Sequence, residues 1–389
     1  MKHSAFVYFL TAVLILYAAI NSYIFIRAKQ ALVGFGAVRV VLLAVLVLWM
    51  AAYPAGRILE RILHNGCSRF LIVSGSVYLG VMIHAILLVF LIDLVRLGNF
   101  VFHYFPSSFS VLTVQTVRIT GLTACVVIAM AVLSGCWNAA HPRVRKYELT
   151  IPKRAGADRE MTLVAVSDLH LGTILGRKTL LKITGMINDL RPDAVLLVGD
   201  TFDEDVTEAA EQNIAEVLHG IKSRFGSYAV LGNHEYYGNA EKAASYFRQA
   251  GVTVLEDQSV IVGDSVCLIG RKDRTAEQMG SGRKAIHELL TGLDRSRPLI
   301  LLDHQPFHLE LAQTNGIDLQ ISGHTHHGQL FPFNWITNKV YELSWGYLKK
   351  GGTHVIVSCG AGTWGPPVRT GSVPEVLQIH LRFEENRGE

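Results

Sequence analysis

Hydrophobic positions fall into two regimes along this chain, and the change between them divides it. Near the start, residues 5–26, 38–55, 70–92 and 119–137 are almost continuously apolar. Each run is close to the roughly 20 residues that carry a helix across a bilayer core, and Tyr, Trp or Arg stands near several of the ends, as interfacial anchors do. Four membrane-spanning helices are expected. Lys2 ahead of the first run resembles the start of a signal peptide, but the apolar stretch is long for one and three further runs follow. The mixed segment 100–117 reads as an interfacial loop.

Beyond residue 140 the runs become short. Residues 161–167, 194–198, 227–231, 299–302, 319–322 and 354–359 are strand-like and bounded by Gly, Asp or Pro. Helical spacing appears at 178–190, 207–223, 240–250, 282–291 and 307–314. Residues 260–262 and 266–269 flank Gly263 and Asp264, a hairpin signal. Alternating strands and helices predict an α/β domain whose sheet ends carry function. The expected organisation is a transmembrane anchor over 1–140, an entry segment over 141–160 and a catalytic domain over 161–389.

Charge sharpens that boundary. Half of the 389 residues are hydrophobic and 17% are charged, too apolar for an ordinary soluble enzyme of this size. Of the 36 basic and 32 acidic residues, eleven precede His141. With an even number of spans, Lys2, Arg57, Arg61, Arg69, Arg143, Arg145 and Lys146 share one side, against Arg27, Lys29, Arg39, Arg96 and Arg118 on the other. That bias places the catalytic domain in the cytoplasm of a multi-pass membrane protein. A net charge of +4 calls for no nucleic-acid partner. Asp93 and Arg96, three apart near a span end, are read as an interfacial pair, and so few polar groups inside the spans argue against a transporter. The five cysteines form no paired spacing and read as buried fillers; oligomeric state is not encoded in any recognisable pattern.

Chemistry gathers at the strand ends. The first strand delivers Asp168 and His170, a carboxylate and an imidazole of the kind that binds Mn, Fe or Zn. The next ends in Gly199, Asp200 and Asp203, the next in Gly232, Asn233, His234 and Glu235. Two more end in Asp303 with His304, and in Gly323, His324 and His326. Any one of these has an ordinary explanation as a turn residue or a core histidine. Five in succession at strand ends do not.

The order D-x-H, G-D-x-x-D, G-N-H-E, H, G-H-x-H resembles the calcineurin-like metallophosphoesterase superfamily, over about residues 163–381. The stretch 323–329, the aromatic-rich segment after it, and residues 358–369 are similar to its membrane-associated YkuE/YaeI-like subgroup, which includes a UDP-2,3-diacylglucosamine hydrolase. The resemblance implies a β-sandwich flanked by helices and a pair of metal ions. Asp168, His170 and His326 would hold one ion and Asn233, His304 and His324 the other, with Asp200 shared. His234 would be the general acid and Asp203 its orienting partner, unless Asp203 merely caps a helix. Arg369 would contact phosphate. Glu235 is read as a supporting neighbour, and His327, which departs from the subgroup's usual Gly, as an exposed loop side chain.

These readings predict a metal-dependent phosphohydrolase acting on a phosphoester or pyrophosphate bond. The rival is a membrane-bound sensory or binding module that keeps the fold; the complete set of candidate ligands argues against it. The aromatic run between His326 and His354, and the short stretch between the last span and residue 164, point to a membrane-borne, lipid-linked substrate.

Overall fold

A computed structural model describes residues 3–384 except 64, 106–112 and 157, with the side chains of residues 3–6 also excluded. It forms two compact units, Met1–Cys136 and Trp137–Glu389.

The first unit is helical: α1 (His3–Ala31), α2 (Gly36–Glu60), α3 (Gly66–Phe102) and α4 (Val114–Ala139, whose last turn falls in the second unit). All four are long and apolar enough to cross a membrane. The stretch read as an interfacial loop is shorter than expected at both ends. Residues 100–102 complete α3 and 114–117 open α4, while 106–112 lie outside the described residues. Small residues let α2 and α3 approach closely, as in other membrane bundles: a Cβ on Gly75 would collide with the Tyr53 backbone, and one on Gly56 with Ile72. Asp93 pairs with Arg96 at 3.3 Å and also with Arg27 at 2.5 Å, so the expected pair is a triad.

The second unit runs in the order β1 (Arg143–Ile151), β2 (Glu160–Val166), α5 (Arg177–Asp189), β3 (Ala194–Val198), α6 (Thr207–Glu211), α7 (Ile214–His219), β4 (Ser227–Val230), α8 (Asn233–Tyr237), α9 (Ala240–Gln249) and β5 (Val252–Val254). The hairpin β6 (Gln258–Val262) and β7 (Val266–Gly270) follows, then α10 (Arg274–Gln278), α11 (Ile286–Leu289), β8 (Leu299–Leu302), α12 (Leu309–Thr314) and β9 (Leu319–Ser322). After a short 3-10 turn come α13 (Phe333–Val340), β10 (Gly346–Lys350), β11 (Thr353–Val357) and β12 (Glu375–Phe383).

The strands make two six-stranded sheets, ordered β1-β12-β2-β3-β4-β5 and β10-β11-β9-β8-β7-β6. Strand alternation assigns each residue to a layer. Leu163, Ala165, Leu196, Val198 and Val230 of the first sheet meet Leu268, Ile300, Leu302, Ile321 and Ile356 of the second in one buried cluster. The other face of the first sheet, with Val164, Val166, Val195 and Leu197, packs on Leu180, Ile183 and Ile187 of α5 and Phe247 of α9. On the second sheet, Ile269, Leu299 and Leu301 are covered by Ile286, Leu289 and Ala312. This is the helix-flanked sandwich expected.

The segment 207–223, read as one helix, is two, because Asn213 adopts φ 52 between α6 and α7. β2, β3 and β4 are parallel neighbours, as are β7, β8, β9 and β11. Parallel pairing brings their carboxyl ends to one side, the place where such sheets bind ligands.

Candidate metal centre

The turns that leave these strands are not relaxed. Asp168, His170, Asp200, His324 and His326 all have positive φ, from 46° to 72°. Non-glycine residues rarely adopt this region, and where they do so in clusters the strain accompanies a functional site. Glycine supplies the close approach beside them. A Cβ on Gly199 (φ +81) would run into the His304 ring, and one on Gly232 would strike the Asp200 carboxylate.

Three groups of donors result, each of a kind able to hold a metal ion: Asp168, His170 and His326; Asp200, His304 and the half-buried His324; and His170, Asp203 and His234. In the first, the Nε2 atoms of His170 and His326 face each other at 3.0 Å, and His326 Nε2 is 3.7 Å from Asp168 Oδ1. In the second, His304 Nε2 is 3.1 Å from Asp200 Oδ2 while its Nδ1 is 2.8 Å from the Val198 carbonyl. That carbonyl can only accept, so Nδ1 carries a proton and Nε2 is the nitrogen turned toward Asp200. Asp200 also reaches the first group, with Oδ2 3.9 Å from His170 Nε2. Its Oδ1 accepts the His234 amide at 2.9 Å.

The donor set fits divalent ions. Asn233 Oδ1 is buried without a hydrogen-bond donor, a costly state for an amide oxygen unless a cation meets it. Two imidazole nitrogens turned head to head make sense at a shared electrophile. Burial together with the His304 charge pushes His324 down to about 3, and burial with the His170 charge holds His326 well below the usual range, so both rings are neutral, the state in which imidazole binds metals. Burial works against the charge on Asp200, but His304, His170 and His234 keep its carboxyl well below the usual carboxylate range.

Asp203 caps no helix: α6 starts at Thr207, where Asp205 accepts the amide. It lies instead between two rings, 3.6 Å from His170 Nδ1 and 3.5 Å from His234 Nδ1. Burial opposes a charge on His234, but Asp203 and Asp200 outweigh it and push the ring up to about 9. His234 is flanked by Tyr237 and Trp364, with ring centroids 5.7 and 5.8 Å away. Both aromatics are exposed, at 56% and 57%.

Glu235 is 0% exposed, and its carboxylate accepts the amides of Asp200, Phe202 and Gly232 at 3.0, 2.9 and 2.7 Å. It therefore ties the β3 turn to the β4 turn from beneath. Burial and the Asp200 charge push it up to about 7, against the pull of those amides. Glu235→Ala would leave three buried N–H groups unpaired, at about 1–3 kcal/mol each. Thermal denaturation of the full-length protein in detergent should show a melting point roughly 10 °C lower; an unchanged one would mean the turns hold without this carboxylate.

Arg369 sits elsewhere than the resemblance implied. It is 1% exposed, and its donors go to the carbonyls of Gly362 and Cys359, to Ser372 Oγ at 2.8 Å and toward His326 Nδ1 at 3.1 Å. All its donor nitrogens are occupied inside the protein, so it braces the loop after β11 rather than facing substrate. His327 is half-buried rather than exposed, bonded through Nδ1 to Ser344 Oγ at 2.9 Å and packed on Trp345. Tyr237 and Trp364, which border His234, carry no local signal in the sequence.

The class of protein is a helix-flanked α/β sandwich with groups of carboxylate and imidazole donors able to hold metal at its strand ends. Residues 161–328 match the family described as calcineurin-like phosphoesterase. A metallophosphoesterase of Helicobacter pylori strain J99 is 32% identical over 259 residues, covering 65% of this chain and 68% of that protein. A transmembrane protein with metallophosphoesterase domain from Danio rerio is 34% identical over 273 residues, covering 67% of this chain and 62% of that one. The Bacillus subtilis metallophosphoesterase YkuE is 30% identical over 232 residues, 57% of this chain and 78% of its own length. The chain belongs to the calcineurin-like metallophosphoesterase family.

Proposed function

We propose that this protein is a membrane-anchored phosphoesterase that holds two divalent ions and cleaves a phosphoester or pyrophosphate bond in a lipid-linked substrate. Asp168, His170 and His326 would hold one ion, Asn233, His304 and His324 the other, and Asp200 would serve both; Mn, Fe and Zn all suit these donors. Ions bound there supply the positive charge that clamps a phosphoryl group and the acidity that makes hydroxide available near neutral pH. The protein's own part is positional. The Val198 carbonyl fixes the His304 tautomer, Glu235 holds the two turns in register, and Asp203 orients His170 and His234. His234 donates its proton to the departing oxygen.

The observation that carries the lipid-linked reading is α13. None of its residues is buried, and Phe331, Trp335, Ile336 and Val340 are exposed beside the turn that bears His326. The alternative, that these aromatics cap the domain's own core, finds no support in Trp335, which is 60% exposed. Aromatic and aliphatic side chains of this kind favour the water–lipid interface. The test uses full-length protein with Mn, assayed on a phospholipid in mixed micelles and on bis-p-nitrophenyl phosphate. Trp335→Ala should depress lipid hydrolysis about tenfold more than hydrolysis of the soluble ester, equivalent to roughly 1.4 kcal/mol of interfacial contact. Equal effects on both, or no turnover of any lipid, would favour a soluble substrate.

The charge bias of the loops supports a cytoplasmic catalytic domain. A reporter fused after Glu389 should be active only in its cytoplasmic form, and protease added to intact cells should spare residues 141–389. A signal from outside the membrane would reverse the orientation.

A further inference from the structure

With Arg369 enclosed by carbonyls, Ser372 and His326, a substrate with more than one anionic group would need another cation near the metal centre. Arg271 and Arg283 do not serve, since both pair with Asp303, at 3.2 and 2.5 Å. Arg274 is different: among the described residues its guanidinium has no carboxylate partner. It stands at the start of α10, just beyond the carboxyl end of β7, and β7 pairs with β8, which leads into His304.

Its neighbour Asp273 does not neutralise it. That carboxylate is fully buried and accepts from the Thr275 amide and from Gln305 Nε2, both at 2.8 Å, so it fixes the helix start inward. The Arg274 guanidinium lies over the Phe307 ring, 4.2 Å from its centroid. Phe307 packs on Tyr341 at 4.8 Å, and Tyr341 on His324 at 6.2 Å. A continuous wall thus runs from the metal-facing imidazole to a half-buried arginine. Stacking on an aromatic face holds a guanidinium in place while leaving its forked N–H donors available in its own plane, the geometry that suits a phosphate oxygen pair. On the other side of the centre, His234 is bordered by the exposed rings of Tyr237 and Trp364, and among the described residues no guanidinium stacks there.

We infer that Arg274, held by Phe307 and Tyr341, is a substrate-binding residue that receives a second phosphate, on the side of the scissile group away from His234. This rests on the phosphoesterase reading above and narrows it: the substrate is one with at least two phosphates, and its apolar or planar part lies against Tyr237 and Trp364.

The test compares two ligands that share uridine but differ in phosphate number, UDP-glucose and the dinucleoside monophosphate UpU. Dissociation constants are measured by calorimetry on full-length, Mn-supplied protein in detergent, in a His234→Ala background that slows turnover of the ligands. Hydrolysis of bis-p-nitrophenyl phosphate by the wild type is recorded in parallel. UDP-glucose should bind about tenfold more tightly than UpU, the worth of one charge-assisted contact. Adding Arg274→Gln should bring the two within about twofold of each other, and Arg274→Lys should keep part of the preference. Equal affinity for both ligands, or a preference that survives Arg274→Gln, overturns the assignment even if the ester is hydrolysed. A preference that depends on Arg274 in a protein that hydrolyses no ester upholds the anion site and breaks the phosphoesterase reading instead.

Discussion

Asp200→Ala should leave no measurable phosphoesterase activity and should also strip most of the bound metal, as read by elemental analysis of the purified protein. Asp200 belongs to the group of His304, 3.1 Å from its Nε2, and reaches toward the other with 3.9 Å to His170 Nε2, which is why it is proposed to serve both ions. It is also the negative charge that offsets several buried imidazoles, so its removal leaves buried positive charge without a partner. Asp200→Asn keeps the shape and the acceptor for the His234 amide but drops the charge. It should retain the fold while binding metal poorly, which separates loss of ligation from loss of structure. Wild-type metal content in both variants would sink the shared-carboxylate arrangement.

The second large effect belongs to His234. His234→Ala should keep the metal, because the ring shares only His170 with the proposed ligands, in a group completed by Asp203, yet lower the rate on alkyl phosphoesters by roughly 10²–10⁴-fold, the usual contribution of a positioned acid. On p-nitrophenyl esters the deficit should shrink, since that leaving group departs without a proton. Asp203→Asn should show a milder form of the same selectivity, because it disturbs the ring's orientation and leaves the ring in place. A deficit of equal size on good and poor leaving groups would assign His234 to binding or positioning.

How much of this was legible beforehand depended on burial. β3 and β8 are buried on both faces and their sequences are plain apolar runs, so their bounds match the expectation; those of β9 match too, although Gln320 and Ser322 interrupt its apolar positions. β1 and β10 lie at sheet edges, and β1 is mostly exposed along its first residues. Its alternation of arginine, lysine and glutamate with apolar residues carried no strong strand signal, and the stretch was taken for an entry segment. Asn213 was invisible as a helix break because an asparagine in left-handed backbone looks, in sequence, like any other polar helix residue. Metal-ligating residue types at strand ends were recognisable because their chemistry is unusual there. The two errors of placement, Arg369 and His327, both concern side chains whose surroundings come from distant loops. Nothing adjacent in sequence says that Arg369 is enclosed by carbonyls of 359 and 362, or that Ser344 awaits His327.

The place of β12 governs when the domain can come together during synthesis. It lies between β1 and β2, parallel to the first and antiparallel to the second, so the two strands made earliest in this unit have no pairing with each other in the finished sheet. About 200 residues separate β2 from β12, on the order of ten seconds or more of translation. Throughout that interval the nascent chain carries two unpaired strand edges, the kind of surface that recruits foreign strands. Assembly of the first sheet must therefore wait for β12, and the protein's yield in cells should depend on holding chaperones to a degree that a sheet built in sequence order would not.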